Sequence, residues 1–538
     1  MLYYLFACAP SPSTDTALAP APDLPGVSPT LPGTTPPGTE DPPGGTTTSD
    51  PTVPPPPAPV YDVPTGGVVM VAGGGSEGDI GDYTAWSAAA YATLIEAGDV
   101  NGDGLVLVAV LSVWEESDWV PSYFEWLGAD DAFNVEIASI EAASDPAVVD
   151  ALATADAMYL KGGDQGAYYD RWNGTPVEDA VLAVHALGGG VGGTSAGAAS
   201  MSEIAIAGSY DVYSLDLLRD ATHVSMEDWS DGPGSVGLKN DFLPILPDAV
   251  VDTHFTERAR LGRLAVLLGY GRELYGDVAR LGIGVEQQTA LVVRGPIATV
   301  IGKGSVTFLA DGLASTPLRE AGSPPGFTDL GLDVLVQGWS YDLSTRTAII
   351  DTAPETARAV VPTAPPPVTH AIAAAGSMLS DEPSFGIVAE RWPDPWAVVD
   401  STVPEALPGA LGFLDTLDTT WFSERAGVNF EGMASAMAEV AEIGPVTFML
   451  PVGARLVAEE GAPHRLAFET EDGEAPTAAL VIDGSALSWV DHSEVVSWYD
   501  DGSGALHAGT LVGATLHLVA ESHRTGLVWD HHARAMVP

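Results

Sequence analysis

Gly192-Gly193-Thr194-Ser195-Ala196-Gly197-Ala198-Ala199-Ser200-Met201-Ser202-Glu203 decides how this chain is read. Within it, Gly193 to Gly197 spell G-x-S-x-G, a pattern that suits a sharp turn from a strand into a helix and lifts a serine hydroxyl clear of the backbone. The glycines let the chain bend without a Cβ clash, and the N–H after Ser195 can face a developing oxyanion. In a chain with 60 glycines the pattern alone is weak. Its surroundings give it weight.

Upstream, Ala157-Met158-Tyr159-Leu160-Lys161-Gly162-Gly163-Asp164-Gln165 reads as a strand running into a Gly-Gly turn. Downstream, Val250 to Thr253 reads as a strand end followed by His254, Phe255 and an Arg-rich helix start carrying Arg258, Arg260 and Arg263. Leu281-Gly282-Ile283-Gly284-Val285-Glu286-Gln287-Gln288 follows. In this order the pieces GGDQ, GTSAGA, DxHF with RxRLGRL, and GIG with an acidic position resemble peptidase family S51, the cyanophycinase and dipeptidase E group. The likeness covers roughly residues 65 to 345. It implies a class I glutamine amidotransferase-like, flavodoxin-like α/β fold: a mostly parallel sheet flanked by helices, here followed by a mainly β C-terminal module.

Short apolar strands alternating with helical stretches support that fold independently. Gly66 to Gly75, which closes in glycines, Leu105 to Leu111, and the run from Ala157 into its Gly-Gly turn are strand runs. Residues 84–97, 123–127, 146–153 and 176–187 are helical. Gly188 to Gly193 enters the serine turn with few β-branched residues for a buried strand, so its glycines either cost local stability or allow close packing. Asp99-Val100-Asn101-Gly102-Asp103-Gly104 imitates the start of a calcium loop, but Val110 stands where an EF-hand needs its bidentate carboxylate, and a polar turn is the reading.

The resemblance implies Ser195 as nucleophile and His254 as its base, with backbone N–H groups of Gly163 and Ala196 holding the oxyanion. Gln165, Asp252 and Arg258 would line the substrate site. Chemistry agrees: a serine hydroxyl needs a base to take its proton, and strand ends are where open α/β sheets place their sites. Arg260 and Arg263 read as helix-surface partners of nearby carboxylates. The family's third residue, a glutamate, aligns with Gln287, while Glu286 precedes it. Neighbours on a strand face opposite ways. Glu286 therefore takes the role through a bulge, a glutamine orients the histidine more weakly, or the chain is a degenerate relative.

Composition bounds the rest. With 73 acidic and 20 basic residues the net charge is -53, which argues against nucleic-acid or anionic-membrane binding. The single cysteine, Cys8, excludes an intramolecular disulfide and the cysteine chemistry of amidotransferases. Met1 to Cys8 resembles a lipobox lacking a basic n-region, so lipidation at Cys8 is expected. Five segments follow: the lipobox-like 1–8, a Pro/Thr/Gly-rich tether 9–62, a hydrolase domain 63–352, a linker 353–369 and a mainly β domain 370–538. Eight of the eleven histidines lie in that last segment, without metal-ligand spacing, and read as scattered surface residues.

The expectation is a hydrolase of the bacterial cell envelope or exterior, lipid-anchored, acting on a peptide substrate such as an Asp/Arg-containing polymer. It uses no cofactor and no metal, and a homodimer is compatible with it. The rival expectation is a catalytically weakened surface-binding protein. An acidic loop, Ser225 to Gly232, would rim the site.

Overall fold

The computed structural model describes residues 61–349, except 115–116, 209–213, 221–236, 256–259, 277–279, 312–316 and 319–322, together with strands and short segments between 369 and 538. Cys8, the tether to residue 60, the 225–232 loop, Arg258 and the linker 353–368 lie outside the described residues.

Five parallel strands form the centre: β1 (Val69–Ala72), β2 (Leu107–Ser112), β3 (Asp131–Glu136), β4 (Ala157–Leu160) and β5 (Gly190–Thr194), in the order 3-2-4-5-1. β1, β4 and β5 are apolar runs buried on both faces, as a sheet covered by helices requires. The helices are α1 (Trp86–Ala92), α2 (Trp119–Leu127), α3 (Ile140–Ala143), α4 (Pro146–Leu152), α5 (Gln165–Trp172) and α6 (Pro176–Ala186). Their ends follow the sequence. α4 and α6 open on a proline, whose missing N–H is not needed there, and Asp145 caps α4 by accepting from Ala147 N.

The glycines of β5 serve close packing. A Cβ on Gly190 would stand 2.2 Å from Leu94 O, and one on Gly192 would stand 2.8 Å from Leu94 Cδ1. The turn at the end of the α1 segment thus lies directly on the sheet. After β5 come α7 (Ala196–Ala199), β6 (Ala205–Ile206), α8 (Ser214–Arg219) and β7 (Leu238–Lys239), with β6 and β7 paired antiparallel.

β8 (Ala249–Thr253) and β9 (Leu281–Val285) are parallel to each other and joined through α9 (Leu261–Tyr275). α9 buries Leu261, Leu264, Leu267 and Leu268, each such side chain contributing about 1.5–3 kcal/mol. β10 (Thr289–Arg294) returns antiparallel to β1, and β11 (Ile297–Gly302) follows it. The first sheet is therefore mixed, closed by β15 (Ser340–Asp342) and β16 (Thr347–Ile349).

β12 (Ser305–Asp311) pairs with β9 and with β14 (Gly326–Val336), which also takes the short β13 (Pro317–Leu318). Beyond 369, β17 (Thr369–Ile372) pairs with β18 (Val388–Arg391). β19 (Glu439–Ile443) and β20 (Val446–Leu450) lead a further β-rich region, in which β23 (Ala479–Asp483) pairs with β27 (Leu511–Val519). β21 (Ala454–Glu459) pairs with β22 (Ala462–Thr470) ahead of β23, and β24 (Ser488–Asp491), β25 (Glu494–Asp500) and β26 (Leu506–Ala508) lie between β23 and β27.

β27 does not stand apart. It pairs antiparallel with β14, so strands on either side of the expected 353–369 linker share one sheet with β8 and β9. A reading from composition sees the proline run as a boundary; ladder pairing across it is a long-range contact that composition does not carry. His517, on β27, is buried, unlike the surface histidines expected of this region. The 99–104 segment is a polar turn, with Asp99 Oδ1 and Oδ2 accepting from Gly102, Asp103 and Gly104 N–H.

Candidate active site

The end of β1 organises the site. Three consecutive carbonyls there take N–H groups from three different segments: Ala72 O from Ser195, Gly73 O from His254, and Gly74 O from Gln288, at 2.9, 2.9 and 2.8 Å. These bonds bring the ends of β5, β8 and β9 together. Gly74 can do this because of its close approach: a Cβ there would stand 2.3 Å from His254 Cε1, and its φ of 97° is one glycine adopts freely. The Gly73-Gly74-Gly75 run was visible in the sequence, but only as a strand end.

Ser195 sits at the sharp turn into α7 with φ 50° and ψ -115°. Its Oγ lies 2.7 Å from His254 Nε2. His254 itself has φ 46°. Non-glycine residues in the left-handed region cost roughly 1–3 kcal/mol each and persist where surrounding structure holds them. Here both members of the serine–histidine pair are so held.

On the other side of the imidazole, Gln287 Nε2 stands 2.9 Å from Nδ1. Glu286, the residue after β9, points away, and Gln287 and Gln288 form the turn that follows it. Its carboxylate accepts from Ser305 N and Ser305 Oγ, both at 2.8 Å, in a buried setting. Of the two sequence candidates for third residue, the structure brings Gln287 and not Glu286 to the histidine. No bulge intervenes.

The glutamine has consequences for the proton. Its amide group offers two donors on nitrogen and an acceptor on oxygen, whereas a carboxylate only accepts. With nitrogen toward Nδ1, the imidazole proton resides on Nε2 and donates to Ser195. With the amide turned by 180°, Nδ1–H donates to Oε1, and Nε2 is free to take the serine proton. Both states are open to this side chain.

Gly163 and Ala196 flank the serine. Gly163 has φ 136°, and a Cβ on Gly162 would stand 3.4 Å from Ser195 Cβ. Ala196 opens α7 and is buried. Asp164 caps α5 by accepting from Gly166 N and Ala167 N, and Gln165 Nε2 donates to Gly208 O at 3.0 Å. The GGDQ stretch therefore sets a turn and a helix start beside the nucleophile.

Asp252 departs from its expected place in the substrate site. It is buried, accepting from Arg260 Nη1 at 2.9 Å and from Arg263 Nη2 and Nε at 2.6 and 2.8 Å. Burial alone would raise its pKa; the two guanidinium groups outweigh this and hold it below the usual carboxylate range. Arg260 and Arg263 are likewise buried, not surface partners. Arg260 also donates to Thr253 O at 2.7 Å. This ion cluster anchors the strand end that carries His254. A signal was present in sequence: two arginines three apart share one helix face, just after an acid in an apolar strand.

Among the described residues no cluster of histidine, cysteine or carboxylate groups could hold a metal ion, and no helix is long and apolar enough to cross a membrane.

A serine on a strand-to-helix elbow with a histidine within hydrogen-bond reach is an arrangement that hydrolases share. Comparisons with known proteins agree. The chain is 30% identical over 233 residues to the cyanophycinase of Nostoc sp. (strain PCC 7120), covering 42% of this chain and 70% of that protein. The same figures hold for the cyanophycinase of Trichormus variabilis, and that of Geminocystis herdmanii is 29% identical over 231 residues, 42% of this chain and 76% of its own. The chain belongs to the cyanophycinase family. Among solved structures, a peptidase from an acI-B1 actinobacterium is similar over 53% of this chain and 98% of its own, at 19% identity and TM-score 0.34. No protein-family model matches the chain.

Proposed function

We propose that the chain is a serine-type hydrolase that cleaves β-aspartyl or Asp-linked peptide bonds through an acyl-enzyme. The observation that carries this is the 2.7 Å contact between Ser195 Oγ and His254 Nε2 at a strained elbow. In the proposed reaction His254 Nε2 takes the Ser195 proton as Oγ attacks the scissile carbonyl carbon. N–H groups of Gly163 and Ala196 face the oxyanion. The imidazolium then gives its proton to the leaving amine, and a water attacks the acyl ester by the same route in reverse. The step needs Nε2 unprotonated, hence Gln287 with its oxygen toward Nδ1.

The names of the relatives support a substrate related to cyanophycin. Export on a lipid anchor at Cys8, with the Pro/Thr/Gly-rich stretch as tether, is part of the same proposal and rests on sequence.

A second reading is favoured by one observation: a neutral glutamine stands where a carboxylate would fix the tautomer. In that reading the protein binds its ligand and turns it over slowly or not at all. Fluorophosphonate labelling of the full chain decides between them. Labelling that is lost in both Ser195→Ala and His254→Ala supports the hydrolase; a folded wild type that stays unlabelled supports the binding protein.

A further inference from the structure

The Gly73-Gly74-Gly75 segment, whose carbonyls take the His254 and Gln288 N–H groups, is not stiff by itself. The chain just beyond it is pinned by α1 at three consecutive residues. Trp86 Nε1 donates to Ser76 O at 3.0 Å, the Tyr91 hydroxyl donates to Glu77 Oε1 at 2.9 Å, and Gly78 N donates to Ser87 Oγ at 3.0 Å. Tyr91 also bonds the hydroxyl of Tyr159 on β4. A carboxylate only accepts and a phenol has one proton, so Tyr91 donates to Glu77 and accepts from Tyr159. Both phenols are fully buried, and burial pushes their pKa values well up, which keeps them protonated donors. Glu77, Tyr91 and Tyr159 thus form a hydrogen-bonded chain. It joins the segment that holds the base to the strand that runs into the Gly162-Gly163 turn.

We propose that Glu77 and Tyr91 are positioning residues for His254: the carboxylate, held through the Tyr91 hydroxyl onto Tyr159, fixes the glycine segment whose carbonyls orient the imidazole. Their effect on the reaction rests on the hydrolase reading; their effect on the histidine does not. Two phenylalanines would fill the same space without buried polar atoms to satisfy. Three polar groups linked in series admit far fewer arrangements, because a shift of the loop leaves a buried hydroxyl unbonded. The histidine depends on this support more than usual. Gln287 is neutral and holds the imidazole less firmly than a carboxylate would, so the bond from His254 N to Gly73 O carries more of its alignment.

The test takes two readouts on the full-length protein: amide hydrogen exchange at His254 and Gln288, and the rate of fluorophosphonate labelling. Tyr91→Phe removes one hydroxyl and keeps the ring. It should speed exchange at both amides about tenfold and slow labelling by a similar factor, the loss expected for a displacement well under 1 Å. Glu77→Ala should do the same, and the double variant should be no worse than either single one, because both cut one chain. Glu77→Gln keeps an oxygen acceptor for Tyr91 and should restore most of both readouts. Tyr159→Phe leaves the Tyr91–Glu77 bond in place and should lose less. Three results overturn the assignment: exchange and labelling within twofold of wild type in Tyr91→Phe, additive losses in the double variant, or faster exchange spread over the whole sheet. The hydrolase reading fails separately. A wild type that does not label, with exchange at the two amides following the stated order, loses the hydrolase and keeps the positioning; one that labels alike in every variant loses only the positioning.

Discussion

Gln287 and His254 meet at 2.9 Å between Nε2 and Nδ1, in the position from which a carboxylate would hold the imidazole. A carboxylate does two things there: it fixes the proton on Nδ1 and stabilises the imidazolium that forms during acyl transfer. Gln287 can do the first only in one of its two amide orientations, and contributes little to the second because it is neutral.

Gln287→Glu should therefore increase the rate at which Ser195 reacts with a fluorophosphonate. Replacing the acid of such a triad by its amide costs about 10⁴ in kcat, so restoring it should give a gain of about 10² or more. Gln287→Ala should stay at or below wild type. Stopped labelling followed by mass spectrometry checks both. Equal rates in wild type and Gln287→Glu would mean that Nδ1 is already held by another route.

Gly74→Ala should disable the pair without unfolding the sheet. The new Cβ would meet His254 Cε1 at 2.3 Å and Nε2 at 2.6 Å, at a φ of 97° that alanine resists. Moving a catalytic group by 1 Å costs about a hundredfold. Labelling should fall by that order while far-ultraviolet circular dichroism is retained. A labelling rate within a few-fold of wild type would show that the imidazole has room to yield.

Asp252→Asn should destabilise the fold, since it leaves two buried guanidinium groups without their carboxylate. Breaking a buried pair typically costs about 3–5 kcal/mol. The pH dependence has a definite sign. The folded pKa of Asp252 lies below its ordinary 3.8, so its stabilisation is present above about pH 4 and is lost as pH falls through the depressed value. The difference in urea midpoint between wild type and Asp252→Asn should shrink on acidification below pH 4. A difference that is flat with pH would assign the loss to packing.

The parallel core and the Ser195–His254 pair were legible because local signals set them: apolar runs closing in glycines, and a G-x-S-x-G elbow. Other elements were hidden for physical reasons. β3 (Asp131-Ala132-Phe133-Asn134-Val135-Glu136) is the edge of its sheet and exposes both its ends, so its sequence lacks an apolar run. β14 shifts register against β27 twice and carries Asp329 at φ 62°, which breaks the alternation a strand would show. The roles of Asp252, Arg260 and Arg263 depend on a tertiary contact between a strand end and a helix. Matching by motif assigned Asp252 to substrate, whereas burial assigns it to support.

Asp333 provides the last test, on the seam between β14 and the C-terminal strands. Its carboxylate is buried and accepts from Gly513 N at 2.7 Å. Burial pushes its pKa up from 3.8 to about 6, against the lowering effect of that hydrogen bond. A raised carboxylate makes the folded state bind the proton more tightly than the unfolded one. Its contribution is most favourable below about pH 3.8 and is lost as pH rises through about 6. Above that, the buried charge costs about 3 kcal/mol. Asp333→Asn keeps an acceptor for Gly513 N–H and removes the charge. The variant should melt higher than wild type at pH 7.5 and show little difference at pH 4, in paired thermal scans. A variant less stable than wild type at pH 7.5 would mean that the carboxylate is ionised and supported there, and that the seam relies on its charge.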